Sequence, residues 1–219
     1  MQKINVGAFE RIVKNLVSMA LLSTLIACSS SNYPFNPLVK DKVYKPTSSI
    51  AVVSGGEQDG HIKLAGFLTD ELTKQSAFHV MSQKEIEKRI SDYPPTIAIN
   101  TDVKEGEEKP IWFPASEKAK LNAIQGKLKV DYIFVVWNRF VRHVSVQGAG
   151  GSETDYVYPA GNLIEYPSGK VVASTMSVAS SEQSLLALFR DADYYILDAL
   201  KDASEDIADE FVDVTKSKK

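Results

Sequence analysis

Short apolar runs and helical apolar spacings alternate along the first half of this chain. Ser49–Ser54 (SIAVVS) is a continuous apolar run that ends at two glycines, a pattern typical of a buried strand. Asp59 can then cap a helix whose apolar positions recur every three or four residues as far as Leu72. The sequence predicts a short strand over residues 78–81 and, from the capping pattern that starts at Ser82, a second helix.

The second half begins with an irregular stretch and ends with a long amphipathic pattern. Residues 92–115 contain four prolines and predict a long loop, and residues 116–127 predict another helix. Strands are predicted over residues 131–146, 156–166 and 170–178. Apolar positions at helical spacing predict a last helix over residues 182–214. This order predicts an α/β fold, a mixed β-sheet flanked by helices with a long carboxy-terminal helix.

The first 27 residues have the layout of an export signal. Lys3, Arg11 and Lys14 form a basic head, and the uncharged, largely apolar run Leu16–Ala27 follows it. The run falls within the roughly 7–15 residues of a signal's apolar region and is shorter than the ~20 residues of a spanning helix. We therefore expect residues 1–27 to be cleaved, immediately before Cys28.

Leu25-Ile26-Ala27-Cys28 resembles the lipobox of bacterial lipoproteins. The resemblance implies that the thiol of Cys28 is diacylated and that the new amino terminus is acylated as well. Two or more acyl chains hold a protein stably on a lipid bilayer. In this family an Asp after the cysteine favours the inner membrane, so Ser29 implies the periplasmic face of the outer membrane. The alternative is that Cys28 is an incidental or buried cysteine.

The predicted domain organisation follows from these patterns. Residues 28–47 contain the acylated cysteine and a proline-rich tether, and an extended arm packed on the domain is the alternative for this segment. Residues 48–214 form a single α/β periplasmic domain, and residues 215–219 form a basic tail.

Charge and cysteine content exclude several classes of function. The chain has 25 Lys and Arg against 28 Asp and Glu, and removal of the signal takes away more basic than acidic residues. This balance does not predict nucleic-acid binding. With the single cysteine acylated, no disulfide or thiolate metal site can form.

No motif in the chain predicts catalysis, a metal or a cofactor. The glycines of residues 55–60 stand between a strand and a helix but lack the spacing of a phosphate-binding loop, so we interpret them as a plain turn. His61, His79 and His143 have no ligand-like spacing. The acidic residues from Asp191 to Asp206 fit the solvent face of the last helix. We expect the protein not to be an enzyme.

Several aromatic residues are candidates for contacts with a partner. Trp112 and Phe113 lie in the predicted loop, and Tyr156, Tyr158 and Tyr166 lie on a predicted strand. Aromatic side chains are enriched at interface hot spots. Burial in the core is the alternative for each of them.

Residues 48–180, roughly, resemble the scaffold of the curli secretion lipoprotein and of the amino-terminal domain of TolB. The resemblance rests on three segments, over residues 49–90 (SIAVVSGGEQDGHIKLAGFLTDELTKQSAFHVMSQKEIEKRI), 128–140 (LKVDYIFVVWNRF) and 163–178 (LIEYPSGKVVASTMSV). It implies a mixed α/β fold, which also occurs in lipoproteins that activate penicillin-binding proteins and in an accessory lipoprotein of Pel exopolysaccharide export. Trp137 stands where the family pattern has a glycine.

These observations predict a membrane-anchored periplasmic lipoprotein that acts as a non-enzymatic binding or assembly component of an envelope or export system. Its expected partners are the lipid bilayer, through Cys28, and envelope proteins, and the sequence leaves a homo-oligomer open. The alternative is an oligomeric secretion pore subunit like the curli channel. Against a pore, Arg139, Arg142 and His143 interrupt the short alternation of apolar residues there. An envelope hydrolase is a third hypothesis.

Overall fold

The computed structural model describes residues 33–37, 47–75, 78–98, 115–145, 153–183 and 192–216. The predicted signal, Cys28, most of the tether and the greater part of the 92–115 loop lie outside these residues. So do Trp112 and Phe113.

Seven strands form one mixed sheet. They are β1 (Tyr33–Pro37), β2 (Ser49–Ser54), β3 (His79–Met81), β4 (Tyr132–Ser145), β5 (Glu153–Glu165), β6 (Lys170–Met176) and β7 (Ala179–Gln183). The order across the sheet is β1-β6-β5-β4-β2-β3, and β7 pairs with the first half of β5. Strand β2 is parallel to both of its neighbours, and every other pairing is antiparallel.

Four helices are described. They are α1 (Asp59–Gln75), α2 (Gln83–Arg89), α3 (Ala115–Leu128) and α4 (Ala192–Lys216). The capping pattern at Ser82 is realised, because its hydroxyl accepts a hydrogen bond from the backbone N–H of Glu85. Within the described ranges, no helix is both long and apolar enough to span a bilayer.

Helices α1 and α4 cover one face of the sheet. The core on this face joins Leu64, Leu68 and Leu72 of α1 to the alternate residues Tyr132, Phe134 and Val136 of β4. Phe211 of α4 lies between two other rings, with centroid distances of 5.2 Å to Phe78 and 6.1 Å to Phe134. The apolar stripe of α4 is thereby buried against the sheet, as its helical spacing predicts.

The opposite face is covered by α2, by α3 and by the segment that follows α2. Ile86, Leu121, Ile124 and Leu128 of the helices pack there against the other set of alternate residues of the sheet. Those strand residues are Ala51 and Val53 of β2 and Ile133, Val135 and Trp137 of β4. Strand β2 is therefore buried on both faces, which explains its continuous apolar run.

Side chains form hydrogen bonds with backbone groups of β2 beyond the end of β3. Gln83 Nε2 donates to the carbonyl of Val52 at 2.8 Å and to Thr69 Oγ1 at 2.6 Å. The Tyr93 hydroxyl accepts from the N–H of Ser54 and donates to Gln83 Oε1 at 2.7 Å. Burial raises the pKa of Tyr93, which keeps the phenol protonated and able to donate. The polar groups of α2 and of the segment after it thus complete the sheet.

The predicted fold class is confirmed: a mixed sheet flanked by helices, with a helix at the carboxy terminus. Two strands are absent from the sequence prediction. Strand β7 (Ala179–Gln183) includes Glu182 and Gln183, the first residues of the predicted last helix, and α4 begins at Ala192. Residues 33–37, within the predicted tether, form β1 on the edge of β6. Each strand pairs with an edge that only the folded sheet provides.

Candidate functional site

Strands β4 and β5 continue well beyond the part of the sheet that contains β2. Strand β2 pairs with β4 only as far as Val136, whereas β4 and β5 remain paired to Ser145 and Glu153. Strand β7 pairs with the same part of β5. We call Val141–Ser145, Glu153–Val157 and Ala179–Gln183 together the strand extension.

The two faces of the strand extension differ. Val157 and Ala179 point to the side that α4 covers and are buried with residues of that helix. Tyr156, by alternation, points to the other side, as does Tyr158 one step nearer the covered sheet. Both tyrosines are half-buried. The structure thus brings two of the predicted contact residues together on one face, and their role stays a prediction.

Arg139 lies on the same face as these tyrosines. Its Nη1 is 3.2 Å from Met176 Sδ, and burial lowers the pKa of its guanidinium from the ordinary value. The sequence analysis treated Arg139 only as an interruption of an apolar pattern. The two-residue alternation of β4 could have placed it near the tyrosines, but the bulge between Asn138 and Val141 changes that alternation.

His143 and Asp155 form a cross-strand pair on the other face of the strand extension. His143 Nδ1 is 2.7 Å from Asp155 Oδ1, and the exposed fractions of the two side chains are 52% and 5%. Ser181 is the register partner of Asp155 on β7. A nucleophilic serine needs the histidine as its neighbour, but here the aspartate stands between the serine and the histidine. The arrangement of His143, Asp155 and Ser181 across the three strands supports strand pairing rather than nucleophilic catalysis.

The loop from β2 to α1 lies at the carboxyl end of the parallel strands, a common ligand-binding place in α/β folds. Here two aromatic rings occupy the space over its glycines. A Cβ at Gly55 would overlap the Trp137 indole, and a Cβ at Gly56 would lie 2.7 Å from Cδ2 of His61. The rings cover the backbone that a phosphate would approach. The geometry favours a plain turn, as the sequence analysis predicted.

Trp137 stands where the pattern of the resembling family has a glycine, and in this chain its ring lies against a glycine of the turn that follows β2. Trp137 is 2% exposed and fits against Gly55, which has no side chain to oppose it. A single-sequence pattern could not reveal this exchange of a large for a small residue, because the two positions meet only in the parallel pairing of β2 with β4.

His61 is the one histidine of α1, and its ring is half-buried at the start of that helix. Its Nδ1 is buried and makes no hydrogen bond within the described part of the chain. Burial lowers the pKa of His61. In the described ranges, no group of three or more His, Cys, Asp and Glu side chains is arranged to bind a metal ion.

Asp198 and Glu205 of α4 are exposed, whereas Asp191 of the predicted acidic run lies outside the described residues. Asp202 is half-buried, and burial, followed by the nearby Asp198, Glu205 and Asp206, raises its pKa. The arrangement fits the solvent face that the sequence analysis predicted for this helix.

No protein-family model matches the chain, and no curated protein matches it. The chain is similar to several solved structures at low identity. It is 10% identical to the PelC dodecamer from Paraburkholderia phytofirmans, over 83% of this chain and 98% of that one, with a TM-score of 0.40. It is 13% identical to lipoprotein GNA1162 from Neisseria meningitidis, over 76% of this chain and 99% of that one, with a TM-score of 0.42. It is 10% identical to a minor lipoprotein from Acinetobacter baumannii, over 77% of this chain and 92% of that one, with a TM-score of 0.42. These structure neighbours thus include bacterial lipoproteins.

We predict that Gly55→Ala destabilises the protein. The new methyl group must displace the buried indole of Trp137, and overpacking of this kind costs about 1–3 kcal/mol. The free energy of unfolding from urea denaturation measures the effect. Gly66→Ala is the matched control, because it lies in α1 with no atom within 4 Å of the added Cβ. It should be neutral or slightly stabilising, and an equal loss in both variants would contradict the prediction.

We predict that His61 makes the protein less stable in mild acid. Its folded pKa is lowered, so below the unfolded value of about 6.5 the unfolded state binds the proton more readily and the native state loses stability. Between pH 7.5 and 5.5 the contribution is at most about 1 kcal/mol, since the ring is only half-buried and solvent screens part of it. His61→Phe should reduce the acid-dependent loss in urea titrations. Parallel stability curves for both proteins over this range would refute the assignment.

Proposed function

We propose that this protein is a lipid-anchored component of the bacterial envelope that binds or assembles partners without catalysing a reaction. The anchor is Cys28, held at the periplasmic face of the outer membrane. A basic head, an apolar run and Ala27-Cys28 support this anchor, and the described domain beside it has a sheet covered on both faces.

The strand extension is the observation that carries the binding role. Beyond Val136, β4 and β5 project past the part of the sheet that contains β2, as far as Ser145 and Glu153. The projecting strands carry the half-buried Tyr156, and aromatic side chains are enriched at interface hot spots. We propose that envelope proteins, or further copies of this chain, bind at the strand extension.

Cys28→Ser should release the protein from membranes. Without a thiol no acyl chain can be attached, so the variant should appear in the soluble periplasmic fraction, while the native protein sediments with the outer membrane. Mass spectrometry of the mature amino terminus should show acylated Cys28 in the native protein. Ser29→Asp is the matched variant: it should keep the lipid and move the protein towards the inner membrane. An unmodified Cys28, or a Cys28→Ser protein that still sediments with membranes, would overturn the anchor.

A photo-crosslinking side chain at Val144, which lies in the strand extension, should capture the partner in intact cells. The same group at Ser168, exposed in the turn after β5 at the other end of the sheet, is the control. We expect a discrete crosslinked product from position 144 and none from position 168. The product's mass distinguishes a second copy of the chain from another envelope protein. Identical products from both positions, or none from 144, would argue against binding at the strand extension.

A further inference from the structure

The exposed side of α3 is positively charged. Four lysines are exposed on this helix or directly after it, against one half-buried glutamate in its first turn: Lys118, Lys120, Lys127 and Lys129, against Glu117. Helical spacing places Lys120 and Lys127 on one flank of the exposed side and Lys118 on the other flank. We call these four lysines, with the exposed helix surface between them, the lysine face.

Small residues occupy the middle of the lysine face. Ala119, Ala123 and Gly126 are exposed and follow one line along the helix, and a Cβ added at Gly126 would meet no atom within 4 Å. The longer lysine side chains therefore border a shallow depression. In the described part of the chain, Lys118 and Lys127 form no ion pair with a carboxylate, so the charge that borders this depression is available to a partner.

The exposed side of α4 carries the opposite charge. Four acidic residues follow one another along it at spacings of four, three and four, and these spacings place them on one line: Asp198, Asp202, Glu205 and Asp209. We call this line the acidic ridge. An eleven-residue step along an α-helix covers about 16 Å, and both the acidic ridge (198 to 209) and the lysine face (118 to 129) extend over such a step.

Repulsion within the acidic ridge is only partly relieved inside the molecule. Burial raises the pKa of Asp202, and the neighbouring acidic residues of α4 raise it further. Lys201 is the one basic residue between positions 196 and 213, and it offsets this effect only in part. Asp198 and Glu205 form no ion pair within the described residues. The acidic ridge therefore favours contact with a cationic surface.

The two charged surfaces lie on opposite sides of the molecule. Helix α4 covers one face of the sheet together with α1, and α3 covers the opposite face together with α2. The lysine face of one molecule cannot reach the acidic ridge of the same molecule, but it can reach that of another. A contact between two different surfaces leaves one surface of each kind unoccupied, so further copies can add to the pair.

We propose that the lysine face of one copy binds the acidic ridge of a second copy of this chain. The carboxylates of the ridge lie along the depression over Ala119, Ala123 and Gly126, and the lysine amines reach them from both flanks. This contact uses α3 and α4 rather than the strand extension, and it requires neither acylation of Cys28 nor the function proposed above. A single pair of helices buries little area, so the association is weak and depends on charge.

Sedimentation velocity of residues 28–219 tests this contact. The chain carries Cys28→Ser, so that no acyl chain contributes to association. We expect the weight-average sedimentation coefficient to increase with protein concentration at about 20 mM salt. It should return to the value of the monomer at about 0.5 M salt, because salt screens the charges. A chain that stays monomeric at every concentration in low salt would overturn the proposal.

Charge reversal identifies the two surfaces. Lys118→Glu with Lys127→Glu makes the lysine face acidic, and Asp198→Lys with Glu205→Lys makes the acidic ridge basic. Each double variant alone should self-associate at least about tenfold more weakly, because both of its surfaces then carry charge of the same sign. An equal mixture of the two double variants should associate again, since each offers the surface that the other one needs.

Lys63→Glu with Lys84→Glu is the matched control. Both lysines are exposed, they lie on α1 and α2, and their reversal changes the net charge by the same amount as that of Lys118 and Lys127. Circular dichroism establishes that each variant is folded. The control should associate like the Cys28→Ser chain, and an equal loss in the control would overturn the proposal.

Two further outcomes would contradict binding between copies. One is a mixture of the two double variants that stays monomeric. The other is a chain that does not self-associate but binds phosphatidylglycerol vesicles through the lysine face, because this result would assign the lysine face to anionic lipid.

Discussion

The pairing of β4 with β5 along their whole length is the interaction on which the rest of this structure depends. Near Tyr132 and Glu165 the pair lies at the centre of the sheet, between β2 and β6 and under helices on both faces. Towards Ser145 and Glu153 the same pair, with β7 on the other side of β5, becomes the strand extension. One ladder, with a bulge between Asn138 and Val141, therefore joins the packed core to the proposed binding surface, and the core determines where that surface points.

Local patterns predicted the elements whose own apolar residues match the faces that the fold buries. The run Ser49–Ser54 is apolar throughout because both faces of β2 are covered, and the stripe of α4 repeats at helical spacing because only one side of it is buried. Strands β1 and β7 carry no such signal. Two prolines in β1 suit only an edge strand, and β7 is a polar segment in which the free edge of β5, rather than an apolar pattern, selects the strand conformation.

The candidate site was predictable only where its residues lie close in sequence. Tyr156 and Tyr158 share a face because side chains alternate along a strand, so the sequence alone could pair them. The pairing of His143 with Asp155 needs the register of β4 against β5 across a bulge, and the fit of Trp137 against Gly55 needs the parallel pairing with β2. These contacts join distant segments, and no spacing in a single sequence reveals them.

The position of β1 limits the reach of the proposed anchor. Were residues 28–47 one free tether, an acylated Cys28 would let the domain move tens of ångströms from the membrane, as flexible chains of this length do. Because β1 is paired with β6 from Tyr33 onwards, only the four residues between Cys28 and Tyr33 would remain as connection, and acylation of Cys28 would hold the domain near the bilayer. A partner of the strand extension would then have to come to the membrane surface.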